Sequence, residues 1–275
     1  MRPRRLFRKL KGKGRGAGQG KHRAGFQEFS TTGIHQAMIR AIERAACPDL
    51  QGKYLDIGSG KGELVEAIKA RFPNLTTFAC DYTDQLMTRA GQAVAIVDLN
   101  HQPLPYPPNE FALVTCSETI EHLENYWSLL RETHRVLQPG GIAIFSTPNI
   151  LNLRSRFRFL TSGFYNLFGP VMPDEKDIFS PRGHITPVSW FYLANALLST
   201  GFVDVAAAVD KYQRRSFVSY ALLSAPIRLS SRLTLRREKN RFQTINERNV
   251  ATVRAINSTD LLLGRTLIVR ARKPS

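Results

Sequence analysis

The sequence predicts an α/β fold, a parallel sheet with helices on both faces, and three observations carry that prediction. Short apolar runs and segments of helical period alternate five times between residues 54 and 146. A glycine-spaced turn, Gly58-Ser59-Gly60-Lys61-Gly62, joins the first run to a helix. Polar residues recur where the runs end: Asp56, Asp81, Asp98 and Ser117. Right-handed crossovers place such strand ends on one edge of the sheet, where ligands of open α/β sheets bind.

The elements follow in order. Apolar residues at helical spacing over 35–47 (Ala37, Met38, Ile42, Ala45) predict a helix that stops before Pro48. Residues 54–57 read as a buried strand, and 61–72 as a helix with Leu64, Val65 and Ile68 on one face. The second strand is 75–80, a helix follows at 83–90, and the third strand is 93–97. Prolines at 103, 105, 107 and 108 make 101–109 a rigid loop. The fourth strand is 111–116, a long helix spans 118–137, Pro139-Gly140-Gly141 is a turn, and 142–146 is the fifth strand. Residues 151–183 read as an insertion. A helix at 187–200 and a strand at 202–209 resume the fold. A second insertion, about 211–260, precedes a closing strand at 262–271.

With 275 residues, 43% of them hydrophobic, the chain has enough apolar side chains for a sizeable core. The net charge of +17 is uneven. Residues 1–27 carry ten Lys/Arg and no acid, are Gly-rich, and nearly lack core-forming side chains, so residues 1–30 are expected to be a disordered tail. A solvated tail, an anionic membrane surface and RNA are its competing readings, and an Arg-rich, acid-poor start also resembles a transit peptide. No apolar segment follows that would make a secretory signal, and no uncharged apolar run is long enough to span a bilayer. Cys47, Cys80 and Cys116 read as thiols of a reducing, cytoplasmic compartment.

The loop spacing is G-x-G-x-G, without the Lys-Ser/Thr pair of a phosphate-cradling loop. The acids around it suit a ligand that is cationic and lacks phosphate. Asp81 is placed to accept ribose hydroxyls, Asp98-Leu99 to meet an adenine edge and face, and Asp56 to reach an ammonium group. That description fits S-adenosylmethionine better than NAD.

The pieces LDIGSGKG, FACDYT, VDLN, LPYPPNEFALVTCSETIEHL and RVLQPGGIAIFSTPN, in this order, resemble the class I S-adenosylmethionine-dependent methyltransferases, closest to their type 11/23 small-molecule branch. The resemblance implies a Rossmann-like sheet of seven strands with the last antiparallel. It implies cofactor contacts from Asp56, Gly58, Ser59, Gly60, Asp81, Tyr82, Asp98, Leu99 and Ser117.

In SETIEH, Glu118, Glu121 and His122 fall at helical spacing, and His184 in RGHITP precedes a late helix able to fold over the same edge. Glu118, His122 and His184 are the candidate catalytic groups, with a histidine as general base on an acceptor hydroxyl. Glu118, Glu121, His122 and His184 as ligands of a divalent cation is the less favoured reading. The expected activity is O-methylation of a small-molecule, glycan or lipid-linked acceptor. RNA ribose methylation and non-catalytic cofactor or RNA binding are the alternatives. The arginines 154, 156 and 158 read as solvated surface. The apolar patch 217–227 with arginines after it reads either as a membrane-interface segment, making the protein peripheral to a membrane, or as the core helix of a substrate lid.

Overall fold

A computed structural model gives the protein's structure and describes residues 20–45, 50–171 and 183–275. The strands are β1 (Gly52–Ile57), β2 (Leu75–Asp81), β3 (Val94–Ile96), β4 (Phe111–Ser117), β5 (Leu137–Pro148), β6 (Val203–Val209) and β7 (Thr266–Arg272). They form one seven-stranded sheet in the order β3-β2-β1-β4-β5-β7-β6. All pair in parallel except β7, which is antiparallel to both β5 and β6. The seven-stranded sheet with an antiparallel last strand is therefore as expected.

Alternation along the central strands feeds two cores. Leu55, Ile57, Val114, Ala143, Phe145 and Val269 point to one face. There they meet α3 (Tyr126–Val136), α5 (Trp190–Ser199) and α8 (Thr259–Leu263) through side chains such as Leu129, Leu193 and Leu261. Tyr54, Leu113, Ile142, Ile144 and Ile268 point the other way, under α1 (Gly20–Glu43) and α2 (Glu63–Arg71). Met38 and Ile42 of α1 and Ile68 of α2 are fully buried there. The remaining helices are α4 (Leu153–Ser162), α6 (Phe217–Arg237) and α7 (Val250–Ala255). The thiols of Cys80 and Cys116 are free and buried, whereas Cys47 lies outside the described residues.

Several expected elements differ, each for a visible reason. Residues 33–275 cluster as one compact unit, from which residues 20–32 separate. Residues 20–30, expected within the disordered tail, are helical, and residues 1–19 lie outside the described residues. The expected helix at 83–90 is absent. Its chain is drawn across the glycine loop instead: Thr88 donates to the Lys61 carbonyl from both its amide (3.4 Å) and its hydroxyl (3.0 Å), and Arg89 pairs with Glu66 at 2.7 Å. The expected helix from 118 begins only at Tyr126. Glu118 sits at φ 49°, its amide donating to the carbonyl (3.1 Å) and hydroxyl (3.0 Å) of Ser146, a backbone conformation no α-helix contains. A short 3-10 turn at Ile120–His122 follows, and Asn125 caps α3. The turn at 139–141 is absorbed into a long β5, where Gly140 and Gly141 bond to Lys273 near the chain's end. Residues 153–162 of the first insertion are helical, and residues 172–182 lie outside the described residues. The closing strand starts at Thr266 because α8 occupies 259–263.

Leu113→Ala should cost about 2–5 kcal/mol, because this side chain is fully buried between helix and sheet. Leu222→Ala, at an exposed site of α6, should change stability by less than about 0.5 kcal/mol. Urea midpoints of the two variants check the assignment of core and surface.

Candidate active site

The loop after β1 turns through three left-handed glycines: Gly58 (φ 70°), Gly60 (φ 49°) and Gly62 (φ 77°). Steric crowding adds to the demand at two of them. A Cβ on Gly58 would fall 2.2 Å from Thr119 Oγ1, and one on Gly62 would fall 2.5 Å from Met87 Sδ. At Gly60 a Cβ would meet nothing within 4 Å, so the space above the loop is open.

The loop's amides are already engaged. Gly58 and Ser59 donate to the Cys80 carbonyl at 2.9 and 3.2 Å, and Gly60 donates to Asp81 Oδ2 at 2.8 Å. Tyr82 N donates to the other oxygen, Asp81 Oδ1, at 2.7 Å. A phosphate would need those N–H groups for itself, so this is a poor phosphate cradle. The Asp81 carboxylate is held in place with lone pairs to spare, as ribose hydroxyls require. Burial raises its pKa, and the amide bonds work against that rise.

Asp56 is tied into the sheet beneath the loop. It is buried, and its Oδ1 accepts from Thr115 Oγ1 at 2.6 Å, which in turn lies 2.7 Å from the Tyr54 hydroxyl. Burial, above all, lifts Asp56 to about 7, with the Asp81 charge adding to the rise. This group sits beneath the cofactor loop as a carboxyl that a nearby cation would ionise. Asp98 stands at the end of β3, exposed, with its carboxylate accepting from Asn100 N and paired with His101 Nδ1, both at 2.9 Å. Those bonds hold its pKa below the usual carboxylate value. Leu99 is partly buried and packs against the core cluster, and Ser117 Oγ lies 3.1 Å from Ser146 Oγ. A cavity of about 980 Å³ between α2 and the β2–β3 edge, lined by Phe78, Gln92 and Tyr106, includes no residue of the glycine loop.

Beside the loop, Thr119 links Gly58 to an acid–histidine cluster. Glu118 and Glu121 do not share a helical face, but both turn inward. Ser146 Oγ donates to Glu118 Oε1 at 3.1 Å, and Thr147 Oγ1 donates to Glu121 Oε2 at 3.1 Å. Burial raises Glu118, with its Ser146 bond and the Arg265 charge opposing; burial and the Glu118 charge raise Glu121 as well. Glu121 is fully buried, and its Oε1 has no hydrogen-bond partner. Its backbone carbonyl accepts from Ile185 N (2.9 Å) and Thr186 N (3.0 Å), and this pins the segment from Gly183 to Thr186 beside Glu121.

That pinning brings His184 to His122, with ring centroids 4.7 Å apart. His122 Nδ1 faces the Gly183 carbonyl and His184 Nδ1 the Leu167 carbonyl, each at 3.1 Å. A carbonyl only accepts, so both rings carry their proton on Nδ1 and keep the Nε2 lone pair free. Burial lowers both pKa values, that of His184 to about 4. One ligand atom each from Glu121, His122 and His184 lie within 4.8 Å of one another. Glu118, the fourth residue of the expected metal set, stands outside that group and turns to Ser146.

A family model described as a methyltransferase domain matches residues 31–207, well over half the chain. The chain belongs to this methyltransferase family. It is 33% identical over 103 residues to the ubiquinone biosynthesis O-methyltransferase of Pseudomonas aeruginosa (strain UCBPP-PA14), covering 35% of this chain and 44% of that protein. It is 26% identical over 176 residues to the demethylmenaquinone methyltransferase of Geobacillus stearothermophilus, covering 56% of this chain and 71% of that one. The methyltransferase thus spans less than half the length of the first of these relatives. A SAM-dependent methyltransferase from Archaeoglobus fulgidus shares the fold, with a TM-score of 0.54 at 17% identity over 87% of this chain and 93% of that one. The family and the fold agree with the S-adenosylmethionine dependence expected from the glycine loop and the acids around it.

Sequence reasoning missed the supporting residues Thr115, Thr119, Ser146 and Thr147. Ser146-Thr147 carried a signal, two hydroxyls ending an apolar strand at the ligand edge.

With a folded pKa near 7 against an ordinary value of 3.8, Asp56 contributes stability below about pH 4 that is lost as pH rises through 7. Asp56→Asn in the cofactor-free methyltransferase should therefore melt higher than the parent at pH 8, with the gap narrowing at pH 5. Equal midpoints at both pH values would count against this burial.

Proposed function

We propose that this methyltransferase transfers the methyl group of S-adenosylmethionine to a hydroxyl of a small-molecule, glycan or lipid-linked acceptor. The observation that carries this reading is the cluster of Glu121, His122 and His184, in which Glu121 Oε1 has no hydrogen-bond partner and each ring turns Nδ1 to a backbone carbonyl, leaving Nε2 its lone pair. Such a set receives a hydroxyl and its proton. The similarity to the Pseudomonas relative, an O-methyltransferase of ubiquinone biosynthesis, supports the same class.

Each part of the edge has its task. Asp81, held by the Gly60 and Tyr82 amides, takes the ribose hydroxyls. Asp56 answers the ammonium group from below, and Asp98 and Leu99 meet the adenine. The sulfonium carbon is already electrophilic, so the chain's work is alignment and proton removal. Neutral His122 and His184 orient the acceptor hydroxyl, and one of their free lone pairs takes up its proton as the methyl group transfers, with the Glu121 carboxyl beside the rings to stabilise the imidazolium that forms.

The same donors also fit a divalent cation. Two imidazole nitrogens fixed through Nδ1–H to backbone carbonyls, with an orphaned carboxylate oxygen beside them, match a ligand set and its supporting shell. A cation held by Glu121, His122 and His184 would lower the pKa of a bound acceptor hydroxyl.

Transfer of tritiated methyl groups to lipid, small-molecule and RNA fractions of the host tests this reading. Label is expected in the first two, and label confined to RNA would overturn the acceptor class. Asp81→Ala should abolish S-adenosylhomocysteine binding in calorimetry. Glu121→Gln should keep that affinity and lose about 10²–10⁴ in turnover. Activity lost in chelator and restored by added metal assigns the cluster to a cation; full activity in chelator assigns it to proton transfer alone.

A further inference from the structure

α6 is built inside out. A surface helix normally shows apolar residues to the body and polar ones to water. Here the half-buried inner face carries Ser219, Ser224 and Ser231 together with Tyr220, Ile227 and Leu235. The outer face carries Val218, Leu222, Ala225, Leu229 and Leu233, spaced four, three, four and four residues apart so that they form one stripe. Val218 and Leu222 are each 72% exposed, Leu229 61% and Leu233 58%. No residue of this 21-residue helix is fully buried, so the lid-core reading of residues 217–227 is not what the fold contains. A continuous exposed apolar stripe is an interaction surface.

The charge around the stripe identifies its partner. Residues 211–246 hold nine Lys/Arg and a single acid, Glu238. Between α6 and α7 lies a cavity of about 930 Å³ lined by Arg228, Arg232, Arg236, Lys239 and Arg254 against one carboxylate, Glu247. Among the described residues none of these arginines forms an ion pair. Arginine guanidinium groups suit phosphate oxygens. A second copy of the chain would set nine cations against nine. A nucleic acid would use the arginines but leave the leucines in water.

We infer that α6 is a membrane-interface helix: its leucine stripe enters the acyl boundary of an anionic phospholipid bilayer, and the arginine groove beside it takes the lipid phosphates. At about 1.5 Å per residue the helix spans roughly 30 Å and lies along the surface, as interfacial helices do. No helix among the described residues is long and apolar enough to cross a membrane, which is consistent with lying on one. The surface is separate from the acid–histidine cluster, and the inference stands whatever the acceptor is.

Co-sedimentation of the full chain with vesicles tests it. The chain should bind vesicles of three parts phosphatidylcholine to one part phosphatidylglycerol, and not pure phosphatidylcholine. Part of the binding should survive high salt, because the leucines do not depend on charge. Arg232→Gln/Arg236→Gln should weaken binding roughly thirtyfold, two charges at about fivefold each. Leu222→Glu/Leu229→Glu should weaken it at least tenfold and remove the salt-resistant part. Both variants alter exposed positions, so melting midpoint and S-adenosylhomocysteine affinity should match the parent and confirm folding. Failure of the parent to bind anionic vesicles overturns the inference. So does parent-like binding by both variants, which would assign binding to the basic residues before 28. Self-association that Leu222→Glu/Leu229→Glu abolishes, with no vesicle binding, would give the stripe to a second copy instead.

Discussion

Everything at the carboxyl edge depends on one carboxylate that accepts two backbone N–H groups. Asp81 ends β2, yet its oxygens hold Gly60 from the loop after β1 and Tyr82 from its own strand end. The bonds are charge-assisted and partly shielded from water, so they fix the loop more firmly than neutral ones would. They also fix what the loop is able to recognise. With its amides engaged by Asp81 and Cys80, the loop offers a ligand shape and an anionic wall rather than N–H donors. An arrangement of this kind suits a cationic, phosphate-free ligand, which the glycines alone would not specify.

The second constraint is the packing of Thr119 against Gly58. The 2.2 Å approach that a Cβ would suffer means that the loop and the segment after β4 are one assembled surface. Glu118 reaches its left-handed backbone by bonding to Ser146, and the turn that follows presents the Glu121 carbonyl to residues 185 and 186. One chain path therefore brings together cofactor loop, buried acids and both histidines. The acids are held where burial opposes their charge, a state that costs stability and that functional sites characteristically tolerate.

The sheet was legible because its central strands, β4 along almost its whole length and β1 and β5 in their C-terminal parts, are buried on both faces and so mostly apolar, a pattern that short runs cannot hide. Asp81 and the glycines were legible for the same reason, as polar or side-chain-free breaks in those runs. The errors fell where tertiary bonds outbid local propensity. Residues 83–90 carry a helical pattern, but Thr88 and Arg89 are claimed by Lys61 and Glu66. The spacing of Glu118, Glu121 and His122 implied one helical face, but the Ser146 bonds turn Glu118 out of any helix. Asp56 was read as reaching an ammonium group directly or through water, and the hydrogen bond it accepts from Thr115, distant in sequence, became visible only in the fold. For α6 the sequence left two readings open, an interface segment or a lid core, since period alone does not say whether the apolar face of a helix is covered.

The antiparallel pairing of β6 with β7 has a consequence for how such a chain changes over time. The two strands are neighbours, so the whole stretch from 210 to 265 is topologically a hairpin connection, however long it has grown. Closing a longer loop costs only logarithmically more, and both ends are clamped by the register Val209↔Leu267 and by Asp210 accepting from Thr266 N. Material can be added or exchanged there without shifting the five strands that carry the cofactor edge. The hairpin is a tolerant port in the scaffold, where a lineage acquires a new address or a new acceptor while its methyl-donor machinery stays untouched.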